Sequence, residues 1–384
     1  MNVIDFFKKS LMAVTLMGLT LSFTACGDDN DEPDVNPLDS HKTAIIKQYV
    51  NGVVVPTYKS LADESNDLAT LCEELRNNPT QSKLNECCES WISARKYWEL
   101  SEAFLFGAAA DYNIDPHIDS WPLQKSQLDN ILANSALIKA LDEEGAAADA
   151  FATLGYGLLG FHAVEYVLFR DGAPRNVNEI SEAELIYNAA VAQDLANQTV
   201  RLEASWAGMN GISNSKQHQL EEFELEPSFN YGENMINAGM TGNALYKTQL
   251  AAMEHILTGA SDISDEVGNT KITDPVNSGN VLDVESWYSW NSIADFTDNI
   301  RSVRNAYYGS LDGSVNNNSM AAYMNQVNAT VDQQVRNAID NALNKVSTMP
   351  APFRNHLSKS ETQDAVDACN ALLDALDTAI ETLK

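Results

Sequence analysis

Met324, Val327, Val331, Val335, Ile339, Leu343 and Val346 recur at spacings of three and four, which lays one apolar stripe along a helix. A strand cannot use such a stripe, because its side chains alternate between faces, so the segment has to bury one side against other helices. The same period runs through nearly all of the chain from His41 onward, with almost no sustained alternation. Leu61, Leu68, Leu71 and Leu75 mark one helix, which Pro56 should kink and Asn77-Asn78-Pro79-Thr80 should stop. A second runs from about Gln81 to Phe106, apolar at Leu84, Trp91, Ala94, Tyr97, Trp98 and Leu105. Helices are then expected over Gln124 to Asp142, Ala147 to Phe169 and Ser181 to Trp206, and over Glu233 to Leu257, Glu285 to Tyr308, Ser319 to Met349 and Ser360 to Leu383. The fold class is all-α. Residues 41–209 and 233–384 each supply enough helices for a four-helix bundle, with the Asn-, Ser-, Gly- and Glu-rich stretch 210–232 between them. Helices ending in an aromatic before glycine occur in both halves, at Phe106-Gly107 and Tyr308-Gly309, a faint sign of duplication.

Two connections are unusual. Gly107 to Leu123 holds Asp115-Pro116-His117 and Ile118-Asp119-Ser120-Trp121-Pro122, too much aromatic and apolar material for a solvated connector. Thr258 to Val284 is rich in Gly, Asp, Ser and Asn and reads as a long loop, which is usually functional or unstructured.

Ahead of the helices, Lys8 and Lys9 followed by the apolar run Leu11 to Phe23 read as an export signal, too short to span a membrane stably. It ends at Thr24-Ala25-Cys26, which resembles a lipobox with Phe23 in the usual leucine position and makes Cys26 the expected lipidated residue. Residues 26–40, opening with Gly27-Asp28-Asp29-Asn30-Asp31-Glu32-Pro33-Asp34, are acidic and nearly free of apolar side chains, so they should form a solvated tether. This run resembles the acidic surface-export tag of Bacteroidetes lipoproteins. An outer-membrane lipoprotein exposed at the cell surface is the expected address, with a periplasm-facing lipoprotein as the alternative.

The formal charge of −30 disfavours binding to nucleic acid or anionic head groups through a basic patch, and it favours cations as ligands. Beyond Cys26, the cysteines are Cys72, Cys87, Cys88 and Cys369. Cys72 precedes the 77–80 turn and Cys87 and Cys88 follow it, so one bridge across that hairpin is geometrically reasonable in an oxidising compartment. No CxxC spacing supports a thiolate zinc site, and HExxH, GxSxG and Walker motifs are absent. Gly155-Tyr156-Gly157-Leu158-Leu159-Gly160 matches GxGxxG but lies in a helical run with no strand ahead of it, so it is read as a place where another helix approaches closely.

The chemistry-bearing stretch is Gly160-Phe161-His162-Ala163-Val164-Glu165. His162 and Glu165 fall on one helix face, where imidazole and carboxylate converge on one point. Their apolar surroundings make an unpartnered carboxylate expensive, so Glu165 needs either a cation or a structural hydrogen bond from His162.

Gly160-x-His162-x-x-Glu165 is preceded by Trp91-x-x-Ala94-Arg95, by Ser101-Glu102-x-Phe104 and by Ile118-Asp119-x-Trp121-Pro122. It is followed by Glu285-Ser286-x-Tyr288-Ser289-x-Asn291-Ser292-x-x-Asp295-Phe296-x-x-Asn299-Ile300-x-Ser302. In that order these motifs resemble the imelysin family, also known as the M75 peptidase family. The resemblance implies two related four-helix bundles packed side by side, signature residues gathered where they meet, and a secreted or anchored protein linked to iron uptake. On that basis His162 and Glu165 are expected to bind a divalent metal, iron or zinc, completed by Glu102 and Asp119. Arg95 would orient these ligands, and Trp121, Asp295 and Asn299 would wall the pocket. Two other functions compete: a metallopeptidase with Glu102 or Glu165 as general base, and a surface module that binds a protein, haem or siderophore partner and uses the His162–Glu165 pair only structurally.

Overall fold

The periodicity resolves into helices in a computed structural model that describes residues 38–142 and 154–383. The signal-like segment, Cys26 with the acidic run behind it and residues 143–153 lie outside the described residues. Helix α1 (Ser40–Tyr49) starts at Asp39, whose carboxylate accepts the backbone N–H groups of His41 and Lys42. A π-helical turn, Val50–Val54, carries the chain without a break into α2 (Val55–Asn77). Pro56 stands two residues past that π-helical turn, inside a helix that continues to Asn77, and the turn is where the backbone adjusts to the hydrogen bond that proline cannot donate.

Thr80 caps α3 (Gln81–Glu99), and a 3-10 turn, Glu102–Phe104, follows it. The unusual 107–123 stretch folds into two short helices, Ala108–Asp111 and Ile114–Ile118. Helix α4 (Gly160–Leu168) is shorter than the expected 147–169 run, and the 3-10 turn Tyr156–Leu158 precedes it. A reciprocal capping box between Ser181 and Glu184 opens α5 (Glu182–Ala207). The stretch expected as a connector, 210–232, contains a further helix, Asn214–Glu222, packed on α5.

Helix α6 (Gln249–Glu266) then runs on through the π-helical turn Val267–Ile272 and the helix Thr273–Ser278. The long loop expected over 258–284 is therefore mostly helical. Helices α7 (Ser292–Tyr308), α8 (Met320–Ser347) and α9 (Ser360–Leu383) complete the chain. The glycine at position 268, part of the composition that suggested a loop, lets α9 lie close: a Cβ on Gly268 would stand 3.0 Å from the Cβ of Cys369, tighter than most side chains approach. Non-helical dihedrals at Asn328 bend α8 and turn Val327 out of the apolar stripe, leaving it 49% exposed.

Helix α2 packs between α3 and α5, with α4 against α3 and α5, while α6, α7, α8 and α9 pack on one another. Helix α3 touches α7, and the Glu102–Phe104 turn lies against both α6 and α7. Ala62, Val200, Ala204, Ile212 and Leu220 form a small cluster of their own, and most of the buried apolar side chains form one large cluster from Ile45 to Leu383. Trp91, within it, meets Phe161 and Phe169 edge-on at 6.3 and 5.3 Å, and each such fully buried aromatic contributes about 2–3 kcal/mol. Gly107 and Gly309 both have positive φ, which glycine adopts without strain, but Gly309 ends α7 in the left-handed region at ψ 28° whereas Gly107 follows a 3-10 turn at ψ −121°, so the two aromatic-glycine junctions are different turns.

The bridge expected across the 77–80 hairpin is not formed: Cys72, Cys87, Cys88 and Cys369 are free and buried. A hydrogen bond to Cys87 and burial together hold the Cys72 thiol well above its usual range, so it stays protonated. No described helix is long and apolar enough to cross a membrane.

Candidate metal centre

Gly160 explains why the motif begins with glycine. Its φ is +73°, and a Cβ there would lie 2.0 Å from the carbonyl oxygen of Ile118. The start of α4 is thereby pressed onto the Ile114–Ile118 helix, bringing His162 beside Asp119 one residue past it. The GxGxxG glycines do not share the expected role of admitting a second helix: Gly155 and Gly157 precede α4, at and within the 3-10 turn. Trp91 fixes the first turn of α4 by donating its indole N–H to the Phe161 carbonyl at 3.0 Å.

His162 is fully buried between two carboxylates. Its Nδ1 lies 3.2 Å from Glu165 Oε2 and its Nε2 3.1 Å from Asp119 Oδ1, while the Trp121 ring packs on it at 4.6 Å. The Nε2 contact is close but poorly aligned, so that nitrogen makes no directed hydrogen bond. The other Glu165 oxygen accepts the backbone N–H groups of Tyr288 and Ser289, at 3.0 and 2.8 Å, and the Ser289 hydroxyl at 2.6 Å. Glu165 is thus saturated on the side of the ring away from Asp119. It assigns the Nδ1 proton and leaves Nε2 to face the remaining acids.

Arg95 is the hub of those acids. Fully buried, it lies 2.5 Å from Glu99 and 2.7 Å from Glu285, contacts Asp119, and keeps its Nε 4.0 Å from Asp295. The i, i+4 spacing of Arg95 and Glu99 on α3 makes the first of these pairs local, whereas Glu285 and Asp295 come from near the start of α7. Asp119 also accepts Trp98 Nε1 at 2.6 Å. Asp295 accepts the Ser286 hydroxyl and the Asn291 amide at 2.5 and 2.7 Å, and Asn299 donates to Glu99 at 2.5 Å. Lys271, from the π-helical turn, reaches Glu285 at 3.2 Å, Glu102 at 3.7 Å and Glu99 at 3.8 Å.

Six carboxyl groups (Glu99, Glu102, Asp119, Glu165, Glu285 and Asp295), each at most 8% exposed, therefore surround two permanent cations and one imidazole. Burial is the largest influence on Glu99, Glu102, Asp119, Asp295 and His162. It pushes Glu99 and Glu102 well above the usual carboxylate range and Asp295 up to about 7. Burial opposes ionisation of Asp119 as well, but Arg95 and His162 outweigh it and hold that carboxyl well below the usual range. Burial alone would lower His162, yet its contacts with Asp119 and Glu165 raise it to about 9.

Among the described residues, two groups of side chains each bring three donor atoms within 4.8 Å of one another: Asp119, His162 and Glu285, and Glu99, Glu102 and Asp119. Of the expected ligands, His162, Asp119 and Glu102 fall in these groups, whereas Glu165 belongs to neither and holds the ring from behind. Arg95 and Trp121 touch the expected ligands directly, and Asp295 and Asn299 reach them through Arg95 and Glu99. Glu99, Glu285 and Lys271 are members that the motifs alone do not mark as site residues. Glu99 is detectable as the i+4 partner of Arg95, and Glu285 opens the C-terminal motif, but Lys271 stands in a stretch whose composition resembles a loop.

The sequence profile of the imelysin family (Peptidase_M75) matches residues 54–379. The chain belongs to the imelysin family. This imelysin-family chain is 25% identical over 374 residues, 97% of its length and 92% of the relative's, to iron-regulated protein A of Synechococcus elongatus. It is also similar to the crystal structure of a protein assigned as an iron-regulated protein A precursor of Parabacteroides distasonis. There the identity is 30%, the coverage 91% of this chain and 96% of that one, and the TM-score 0.78. An imelysin-like protein of Psychrobacter arcticum shares the fold at 16% identity, with a TM-score of 0.62 over 90% of this chain and 96% of that one.

Proposed function

We propose that the buried cluster binds a divalent transition-metal cation, iron or zinc, and that the protein is a lipid-anchored, cell-surface member of the imelysin family associated with iron uptake. The observation that carries this reading is His162 Nε2. It is a fully buried nitrogen with no directed hydrogen bond, oriented from behind by Glu165 and grouped with carboxylate oxygens of Asp119 and Glu285. An imidazole held by a carboxylate through its other nitrogen is the usual build of a metal-ligating histidine. One nitrogen with two or more carboxylate oxygens suits iron, zinc or manganese. The acid excess adds to this, since a bound cation would offset charge that Arg95 and Lys271 leave uncompensated. The iron-regulated relatives support iron as the biological cargo.

Titration of chelator-treated protein with Zn²⁺, and with Fe²⁺ under anaerobic conditions, tests the reading. Saturable binding is expected, lost in His162→Ala and weakened about 10–100-fold in Glu165→Gln, the cost typical of removing the partner that orients a ligand. A His162→Ala protein that binds both ions as tightly as its parent overturns the assignment. Casein cleavage by the metal-loaded parent, abolished in the same variant, would favour the peptidase alternative instead.

The address rests on Thr24-Ala25-Cys26 and the acidic run after it. Cys26→Ala should move the protein from the membrane fraction to the soluble fraction. Unchanged membrane association in that variant removes lipidation from the proposal.

A further inference from the structure

We propose that Lys271 is a tethered cation that closes the solvent-facing side of the centre in the metal-free protein and is displaced from Glu285 when a divalent cation enters. The inference rests on the metal-binding reading and adds to it a residue that sets affinity.

Exposure gives the cluster an inside and an outside. The side chains of Arg95, Glu99, His162 and Glu165 are 0% exposed, whereas those of Glu102, Asp119, Lys271 and Glu285 are 4, 5, 8 and 8% exposed. The second group is thus the part of the cluster that solvent touches. Lys271 stands among them with its ammonium near three carboxylates, closest to Glu285. Glu285 is also the carboxylate that the lysine shares with the donor group of Asp119 and His162.

Glu285 is used unevenly. Its Oε1 serves both Arg95, at 2.7 Å, and Lys271, at 3.2 Å, while its buried Oε2 has no hydrogen-bond partner. A carboxylate that shares one oxygen between two cations and leaves the other unpaired is poorly satisfied as a structural group. It can be satisfied by a further positive charge, placed on Oε2.

Of the two permanent cations in the cluster, Lys271 is the less tightly held. Arg95 is fixed from several directions by Glu99, Asp119, Glu285 and Asp295. Lys271 is a flexible stem on the π-helical turn Val267–Ile272, and its contacts with Glu99 and Glu102 are longer than hydrogen bonds. Single π-helical turns recur at functional sites because they redirect a side chain without ending the helix. The surrounding acids hold the Lys271 ammonium protonated against the effect of its burial, so it carries a full charge that an incoming metal ion must oppose.

The test uses metal-free full-length protein and Zn²⁺ as the probe. Lys271→Gln and Lys271→Met should each bind Zn²⁺ at least about tenfold more tightly than the parent, because a unit charge a few ångströms from the ion no longer repels it. Lys271→Arg, which keeps the charge, should stay within about threefold of the parent, well inside the factor that a lost unit charge produces. A second measurement needs no variant: reductive methylation of Lys271 in the parent, read by mass spectrometry, should rise several-fold when Zn²⁺ is bound. Folded glutamine and methionine variants with parental or weaker affinity, or methylation that Zn²⁺ does not change, overturn the role of Lys271 and leave the metal site standing. Absence of Zn²⁺ binding by the parent and all variants overturns the metal reading, and this inference with it.

Discussion

Arg95→Met is expected to destabilise the metal-free protein by about 3–5 kcal/mol near neutral pH, the cost of removing one partner from a buried ion network. The guanidinium contacts Glu99, Asp119 and Glu285, faces Asp295, and is itself fully buried. Methionine restores most of the volume, so the loss reports charge and hydrogen bonding rather than a cavity. The pH dependence identifies the cause. Arg95 depresses Asp119, so in the parent Asp119 contributes stability that is present above its unfolded pKa of 3.8 and is lost as pH falls below it. The difference between variant and parent should therefore shrink in acid. Chemical denaturation at pH 7 and at steps down to about pH 2, well into the interval below 3.8 over which the depressed carboxyl takes up its proton, measures both quantities, and a loss under about 1 kcal/mol at pH 7 would mean that the acids are neutralised by other means.

Asp295→Asn is expected to act in the opposite direction. Burial raises the Asp295 carboxyl from 3.8 to about 7. A raised acid contributes stability that is full below its unfolded pKa and is lost as pH rises through the folded value, so the window runs from 3.8 to about 7. A rise of that size corresponds to about 4 kcal/mol over the window. Asparagine can keep both local hydrogen bonds, accepting from Asn291 and donating to Ser286. The variant should match the parent near the acid end of the window and equal or exceed it above the alkaline end, with a shallower decline between. Asp115, also raised to about 7 by burial, keeps that decline from vanishing. A separate decline, from His162 raised to about 9, should persist in both proteins as pH climbs from 6.5 through 9. Parallel stability curves for the two proteins across the whole window, measured by chemical denaturation, would show that Asp295 is ionised throughout.

Much of the helical content is legible in the residues because an apolar period of 3.6 is a local property. The stripes of α2, α5, α8 and α9 fall on buried faces, and the turn at 77–80 ends a helix where its asparagines and proline stand. Local composition misleads where tertiary context opposes it. Thr258 to Val284 is polar enough to resemble a loop, yet packing of Ile263, Val267 and Ile272 into the core keeps it helical. Val327 fits the stripe by spacing, but the bend at Asn328 turns it outward.

The site divides in the same way. His162 facing Glu165 follows from a spacing of three, and Arg95 facing Glu99 from a spacing of four, because one helical turn fixes both. The sequence also marks Gly160 as special, although only the Ile118 carbonyl behind it gives the reason. What no local rule contains is which acids are shared. Asp119 lies 43 positions before His162, Glu285 is separated from Arg95 by 190 residues, and Lys271 comes from a turn with no motif. Those groups meet because α3, α4, α6 and α7 bury their apolar faces in one core, and the charges on the remaining faces must then find partners inside. The helices and the His162–Glu165 pair were determined by the sequence through short-range geometry. The acid-rich centre, and the lysine at its outer side, were decided by tertiary packing, which alone sets the distances on which buried electrostatics depends.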